Sequence, residues 1–307
     1  MIKKPIIIDC DPGIDDALTL FLAHACEELD LKGITTVSGN VSLEKTTANA
    51  LKVVEFLGKD TPVIKGASSP IEGKAIHAEH VHGISGLKEI VLPNETRTPL
   101  EHSSQFMYET LKTYPNELEI IAIGPLTNIA QLFIDYPDSV SLIKRLIIMG
   151  GGHRFGNVTP SAEFNIYADV KAAEIVFDQA IDMHVISLDA TMDQGLSKED
   201  ITTLFTGSNP TLDVIKDLLM TSVKTEGLNF PPFAFVHDAL ALLYTIDSDV
   251  VKGDYYSISI ETEGKYTYGR TVVDMFGITN AKKRFFTTGI NKERFIELLK
   301  EKIAVYF

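Results

Sequence analysis

The stretch IIIDCDPGIDDALTLFLAHACEE, residues 6–28, predicts how this chain folds. A short β-branched run comes first, the chain then turns at Pro12 and Gly13, and apolar residues follow at helical spacing. The pattern is therefore a strand, a turn and a helix. GITTV (33–37) before SLEKTTANALKVVEFLG, and ELEIIAI (117–123) before PLTNIAQLFIDY, repeat the same order.

The alternation of strand and helix continues with RLIIMGG (145–151) and MHVISLD (183–189). Repeated units of this kind place their strands in parallel and cover the sheet with helices. Because we find no Pro/Ser-rich linker, charge block or internal repeat, we expect one α/β domain over residues 1–307, with an open, mostly parallel β-sheet. Residues 66–97 and 226–236 resist regular assignment and are expected to be lids or binding loops.

Composition and charge exclude several classes of protein. The net charge of −14 disfavours a nucleic-acid surface, and the basic run Lys282, Lys283 and Arg284 is short enough to be a solvated strand end. No stretch approaches a membrane span, and aspartates interrupt the first apolar run too early for a signal peptide. Since Cys10 and Cys26 are the only cysteines, we expect a reducing compartment and a cytoplasmic protein without nucleic-acid or membrane partners.

Four carboxylates, those of Asp9, Asp11, Asp15 and Asp16, crowd the junction of the first strand and helix. A helix N-terminus favours negative charge by only about 0.3 to 1 kcal/mol, which does not offset the repulsion among them in a partly buried crevice. A divalent cation would remove that repulsion, and carboxylate ligands favour Ca²⁺ or Mg²⁺ over Zn²⁺. Ligands of open α/β sheets bind at this edge. The alternative is a turn whose acidic residues only cap the helix.

The segment DCDPGIDDA resembles the N-terminal signature DxDPGxDDA of the inosine-uridine preferring nucleoside hydrolases. Later segments resemble the family in the same order, namely VSGN ending at Asn40, HGISGL from His82, IGPLTNIA from Ile123, GNVTPSAEFN ending at Asn165, and HDALA from His237. The resemblance covers most of the chain. It implies the nucleoside hydrolase fold and hydrolysis of ribonucleosides to ribose and free base in nucleoside salvage. Members are commonly dimers or tetramers, so a homodimer or homotetramer is expected.

The resemblance implies a Ca²⁺ site. Asp11, Asp16, Asp238 and the backbone carbonyl of Ile123 match the positions that would bind the ion. The ion would also hold a water molecule and two ribose hydroxyls, and Asp11 would accept the proton of that water. Asn40 resembles the family residue that orients the attacking water or a ribose hydroxyl, although taken alone it is an ordinary turn residue.

The resemblance further implies how ribose is bound. Asp15 would bind the 2′-hydroxyl, and Asn165 with Asp238 would bind the 3′-hydroxyl. Asn157 and Glu163 match residues near the 5′-hydroxyl. An Asx-rich loop that satisfies its own backbone is the alternative for this last segment.

Fewer residues of the sequence bear on recognition of the base than on binding of the metal and ribose. By the resemblance, His237 lies beside the leaving base, where it could donate a proton or a hydrogen bond, and His82 lies near the base. A His-Asp pair at a helix start is otherwise a common cap. Phe230 and Phe233 are candidates to stack on the base, or else buried turn residues. The preferred base does not follow from the sequence.

Two other classes of function share parts of this pattern. A haloacid-dehalogenase-like phosphatase also ends a strand in DxD and uses a divalent ion, but Pro12 and the absence of a matching downstream lysine argue against it. A non-catalytic, Ca²⁺-dependent nucleoside-binding or ribose-binding protein would keep the acidic cluster. Product formation distinguishes an enzyme from such a binder.

Overall fold

The computed structural model describes residues 3–223 and 232–307, so most of the segment 226–236 lies outside the described residues. The described strands are β1 (Lys4–Cys10), β2 (Leu29–Thr36), β3 (Val63–Lys65), β4 (Glu119–Ala122), β5 (Arg145–Met149), β6 (Met183–Ile186), β7 (Val251–Ile260), β8 (Thr271–Asp274) and β9 (Lys283–Ile290). They form one sheet in the order β3-β2-β1-β4-β5-β6-β9-β7-β8. Every pair from β3 to β9 is parallel, while β7 is antiparallel to both β9 and β8. The predicted open, mostly parallel sheet is confirmed.

Helices follow most strands, as the alternating pattern predicted. They are α1 (Ile14–Ala25), α2 (Leu43–Phe56), α3 (Glu79–His82), α4 (Ser103–Thr113), α5 (Thr127–Asp135), α6 (Phe164–Ala168), α7 (Val170–Phe177), α8 (Leu188–Thr191), α9 (Lys198–Thr203), α10 (Pro210–Val223), α11 (His237–Ile246) and α12 (Lys292–Ala304). Two 3₁₀ turns, Pro137–Ser141 and Ser248–Val250, complete the set. Within the described ranges, no helix combines the length and apolar character needed to cross a bilayer.

Strand β1 shows why both faces of the sheet are covered. Successive side chains of a strand point to opposite faces, so Ile6 and Ile8 pack with α1, α2, α10 and α11, whereas Ile7 packs with α4, α5 and α7. All three side chains are fully buried. Burying each of them contributes about 1.5 to 3 kcal/mol, which is why the run must be apolar throughout.

The parallel register brings the ends of several strands to one edge. Cys10 of β1 lies opposite Thr36 of β2, and Asp9 lies opposite Ala122 of β4. Because these strands run in the same direction, the segments that leave them converge at the carboxyl edge of the sheet. Asp11 is the first residue of β1's segment beyond that edge.

Two local predictions differ from the structure. Arg284 is not part of a solvated strand end, because it is buried in β9 on the side of Phe286 and its guanidinium donates to the backbone carbonyl of Phe177. Alternate residues of a strand share a face, which takes Arg284 inward. The apolar run 183–189 is also not one strand, since β6 ends early and α8 begins at Leu188.

Candidate active site

Asp16 closes the turn between β1 and α1. Its Oδ2 accepts a hydrogen bond from the backbone amide of Gly13 at 3.0 Å, and its Oδ1 accepts one from the amide of Asp11 at 3.1 Å. These bonds form the capping arrangement at the start of α1. The helix-capping reading is therefore correct for Asp16. A carboxylate has further lone pairs, so capping leaves it able to bind a ligand.

Asn40, in the turn after β2, holds the Asp11 segment in place. Its backbone amide donates to Asp11 Oδ2 at 2.7 Å, and its side-chain amide donates to the Asp11 carbonyl at 3.1 Å and to Asp16 Oδ2 at 3.0 Å. Asp11 Oδ1 is buried and has no hydrogen-bond partner in the part of the chain that the structure describes. Burial, followed by the charge of Asp16, raises the pKa of Asp11 well above its usual value.

Three carboxylates meet beside this turn. Asp15 and Asp16 in the first turn of α1, and Asp238 in the first turn of α11, each offer an oxygen within 4.8 Å of the others. Burial is the main cause that raises the pKa of Asp238, and the nearby carboxylates of Asp15, Asp16, Asp11 and Glu163 raise it further. Such a cluster is costly without a compensating cation, so these oxygens could hold a metal ion.

The predicted metal ligands are only partly grouped in this way. The structure groups Asp16 and Asp238 with Asp15, whereas Asp11 lies beside them and points Oδ1 toward Gly124, which follows Ile123 in the chain. The carbonyl of Ile123 accepts a hydrogen bond from a side-chain amide at 2.9 Å. Because a carbonyl oxygen has two lone pairs, the Ile123 carbonyl could also bind a metal ion.

The loop after β5 positions Asn165 and Glu163. The Asn165 side-chain amide donates to the carbonyls of Ile123 and Met149, at 2.9 and 3.1 Å. Glu163 is the N-cap of α6, and its carboxylate accepts the backbone amides of Gly151, Asn165 and Ile166. Burial raises the pKa of Glu163 to about 7, although these amides oppose the shift.

Asn157 does not join this buried group. It is exposed, and its Oδ1 accepts the backbone amide of Phe164 at 2.8 Å. The rest of the loop is held by Asp189, which was not singled out in the sequence. Its carboxylate accepts the amide of His153 at 2.6 Å and the guanidinium of Arg154 at 2.9 Å. Asp189 therefore anchors the loop that leads to Glu163.

Each of the two predicted base-side histidines is held through its Nδ1 atom. Nδ1 of His82, the last residue of α3, accepts the backbone amide of Ile14 at 3.2 Å. Nδ1 of His237 lies 2.7 Å from the hydroxyl of Thr191. Burial lowers the pKa of both imidazoles below the usual value. The Phe235 ring lies 6.3 Å from the His237 ring, whereas Phe230 is outside the described residues.

Asp9 does not converge with the other aspartates. Its Oδ1 accepts the Thr35 hydroxyl at 2.5 Å and the Asn128 side-chain amide at 2.7 Å. Burial raises the pKa of Asp9 to about 7, and these two bonds oppose the shift. Alternate residues of a strand share a face, so Asp9 and Asp11 are expected to point the same way. Strand β1 ends at Cys10, however, and the chain turns there, so the two side chains separate.

The parallel sheet with clustered carboxylates at its carboxyl edge agrees with the nucleoside hydrolase class that the sequence resembles. A model of the family described as inosine-uridine preferring nucleoside hydrolase matches residues 6–297, and the chain belongs to this family. The chain is 37% identical over 308 residues to the pyrimidine-specific ribonucleoside hydrolase RihA of Citrobacter koseri, covering 98% of each protein. These matches confirm the resemblance and the enzyme class, and they do not support the phosphatase alternative.

Solved structures show the same relationship. The plant nucleoside hydrolase PpNRh1 is similar with a TM-score of 0.88 and 28% identity, over 98% of this chain and 99% of that one. The purine-preferring ribonucleoside hydrolase of Gardnerella vaginalis is similar with a TM-score of 0.88 and 27% identity, over 98% of both chains. The nucleoside hydrolase fold therefore extends over nearly the whole chain.

Proposed function

We propose that this enzyme uses Ca²⁺ to hydrolyse pyrimidine ribonucleosides to ribose and free base. The observation that carries the proposal is the convergence of three carboxylate oxygens beside the unpartnered Oδ1 of Asp11. The preference for pyrimidines rests on sequence identity to named relatives. The chain is 37% identical to relatives named pyrimidine-specific and 27% identical to the solved structure named purine-preferring.

The donor set fits a hard divalent cation. Every available ligand atom is an oxygen, and buried carboxylates that repel one another gain most from a double positive charge. We propose that Asp11, Asp16, Asp238 and the Ile123 carbonyl hold Ca²⁺, with Asp15 next to them. When bound, the ion offsets part of this negative charge and acidifies a water molecule.

We assign the role of general base to Asp11 because its Oδ1 atom has no hydrogen-bond partner among the described residues. Oδ2 is engaged by the amide of Asn40, which leaves Oδ1 to accept the proton of the attacking water. Asn40 also bonds the Asp11 carbonyl and Asp16, so it keeps the Asp11 carboxylate in one orientation. A shift of the base by about 1 Å can cost about a hundredfold in rate.

Ribose is selected by polar groups on the same edge. Asp15 binds the 2′-hydroxyl, and Asp238 with Asn165 Oδ1 binds the 3′-hydroxyl. The Asn165 amide protons both face protein carbonyls, so Oδ1 is the atom that remains to accept a ribose hydroxyl. Glu163 and Asn157 lie toward the 5′-hydroxyl. The clustered negative charge repels a 5′-phosphate and favours nucleosides over nucleotides.

The two histidines serve the departing base. Protonation or hydrogen bonding of the base lowers the barrier to breaking an N-glycosidic bond, because negative charge develops on the leaving group. His237 donates to the base, and His82 contributes a second contact. Both rings are buried, which favours the neutral imidazole, so each acts as a hydrogen-bond donor in its resting form.

We also propose that residues 1–307 act as one domain, in a cytoplasmic homodimer or homotetramer that serves nucleoside salvage. The single sheet, the two free cysteines and the family resemblance support this expectation. Size-exclusion chromatography with light scattering would test the oligomeric state.

Ribose release tests the proposed reaction. Uridine, cytidine, inosine and 2′-deoxyuridine are incubated with enzyme in phosphate-free buffer, with a chelator and after Ca²⁺ is restored. We expect chelation and Asp11→Ala to abolish release, and Asp60→Ala, at a fully exposed aspartate, to leave it unchanged. Activity that survives the chelator would contradict the role of Ca²⁺, and faster cleavage of inosine would contradict only the base preference.

A further inference from the structure

Thr191 contacts the edge of the His237 imidazole at Nδ1. It ends the short helix α8, its side chain is buried, and its hydroxyl oxygen lies 2.7 Å from His237 Nδ1. The two residues belong to separate helices, and the contact is the hydroxyl's only hydrogen bond within the described ranges. The contact therefore joins α8 to the first residue of α11.

The direction of this hydrogen bond follows from its partners. If Nδ1 donated to the hydroxyl oxygen, the buried hydroxyl proton would have no acceptor among the described residues. An unsatisfied buried donor costs about 1 to 3 kcal/mol, so the hydroxyl donates to Nδ1 instead. The proton of neutral His237 then resides on Nε2, the nitrogen on the far side of the ring.

His82 provides an independent example of the same arrangement. A backbone amide can only donate, so the bond from the Ile14 amide makes His82 Nδ1 an acceptor and leaves the proton on Nε2. The Ile14 amide at the start of α1 orients His82 through Nδ1. The Thr191 hydroxyl at the end of α8 orients His237 through the same ring atom. For His237, however, the tautomer depends on one side-chain hydroxyl.

We propose that Thr191 is a positioning residue that holds His237 in the tautomer and orientation in which Nε2–H faces the departing base. This inference rests on the proposed function, since it assigns His237 to the leaving group. Without the hydroxyl, the proton can move to Nδ1 and the ring can turn, and Nε2 then loses its ability to donate. Loss of the hydroxyl leaves the ribose contacts unaffected, so we expect it to lower kcat and to leave KM unchanged.

Two substrates with different leaving groups test the role. Uridine needs help at the base, whereas p-nitrophenyl β-D-ribofuranoside releases a weakly basic phenolate that leaves without a proton. We expect Thr191→Val to lower kcat for uridine by about tenfold or more, because correct donation to a leaving group contributes far more than that. KM for uridine and kcat for the phenyl riboside should stay within about twofold.

Two further variants separate positioning from packing. Thr191→Ser keeps the hydroxyl and should restore kcat for uridine. Thr245→Val removes a buried hydroxyl from α11 whose hydrogen bond, among the described residues, goes to the Ala241 carbonyl of the same helix, so it should leave kcat for both substrates unchanged. Equal losses on both substrates for Thr191→Val, or failure of Thr191→Ser to restore the rate, would overturn the inference.

A spectroscopic measurement keeps the test independent of activity. Long-range proton–nitrogen correlation spectra report which imidazole nitrogen carries the proton, and His237→Gln identifies the signals of His237. We expect Nε2–H in the wild type and a mixture of tautomers in Thr191→Val. A wild-type spectrum with the proton on Nδ1 overturns the inference. A wild type that cleaves neither substrate overturns the proposed function instead, while the spectra still decide the hydrogen bond.

Discussion

The side-chain amide of Asn165 donates a hydrogen bond to the backbone carbonyl of Ile123 at a distance of 2.9 Å. This bond ties the first turn of α6 to the residue that follows β4, and a second bond to the Met149 carbonyl uses the other amide proton. The orientation of Asn165 is therefore set by the ends of two neighbouring parallel strands.

Asn165→Asp is predicted to lose activity and stability together. The carboxylate cannot donate, so two buried carbonyls lose their partner and a further negative charge enters the acidic edge. We expect the free energy of unfolding to fall by about 1 to 3 kcal/mol, measured by urea titration, with little ribose release. Asn94→Asp, the same change at an exposed loop residue, should alter neither quantity.

The roles of neighbouring aspartates can be separated by calorimetry. Asp11→Asn and Asp238→Asn should weaken Ca²⁺ binding at least about tenfold, since each removes a charged ligand. Asp15→Asn should still bind Ca²⁺ but should no longer prefer uridine over 2′-deoxyuridine. Because Asp15 belongs to the carboxylate group seen in the structure, loss of Ca²⁺ binding in Asp15→Asn would instead make it a metal ligand.

Gly39→Ala is predicted to damage the site through Asp11. A Cβ at Gly39 would overlap the Asp11 carboxylate, so the turn after β2 must move or Asp11 must be displaced. Overpacking of this kind costs about 1 to 3 kcal/mol of stability, and displacement of the base lowers kcat as well. In Gly207→Ala the new methyl meets only ordinary contacts with Phe307, so its urea midpoint and ribose release should match the wild type.

His184, the second residue of β6, lies toward the amino end of its strand and makes the stability of the protein depend on pH. Burial lowers its pKa below 6.5, with Arg145 acting in the same direction and Asp182 and Glu119 opposing it. Between the folded pKa and 6.5 the unfolded chain binds the proton and the folded chain does not. Stability from this group is therefore present above about pH 6.5 and is lost as pH falls. His184→Asn should lower the free energy of unfolding at pH 8, because it removes the imidazole that hydrogen-bonds the Tyr244 hydroxyl. The further loss of stability between pH 8 and pH 5.5 should be smaller in this variant than in the wild type. Urea titrations across this range with identical slopes for both proteins would contradict the assignment.

Much of the fold and the outline of the site could be predicted because they depend on local patterns. The β1–turn–α1 unit follows from periodicity, and parallel strands that end together explain why Asn40 and Ile123 lie near Asp11. The contact between Thr191 and His237 could not be predicted, since the apolar run before Thr191 is typical of a continued strand and His237 belongs to a helix distant in the sequence. The burial of Arg284 depends likewise on carbonyls from another element.

The order of strands in the sheet also has a consequence for the folding kinetics. Asp11 and Asp238 are far apart in the chain, and helices separate β1 from its parallel partners β2 and β4 in the sequence. Long-range contacts of this kind form slowly, so Asp238 joins Asp15 and Asp16, which are neighbours on α1, only late in folding. The repulsion between Asp238 and the carboxylates of α1 therefore does not oppose the early steps, and a cation that needs both groups cannot template those steps. If a metal ion binds this cluster, we expect it to slow unfolding and to leave the refolding rate unchanged.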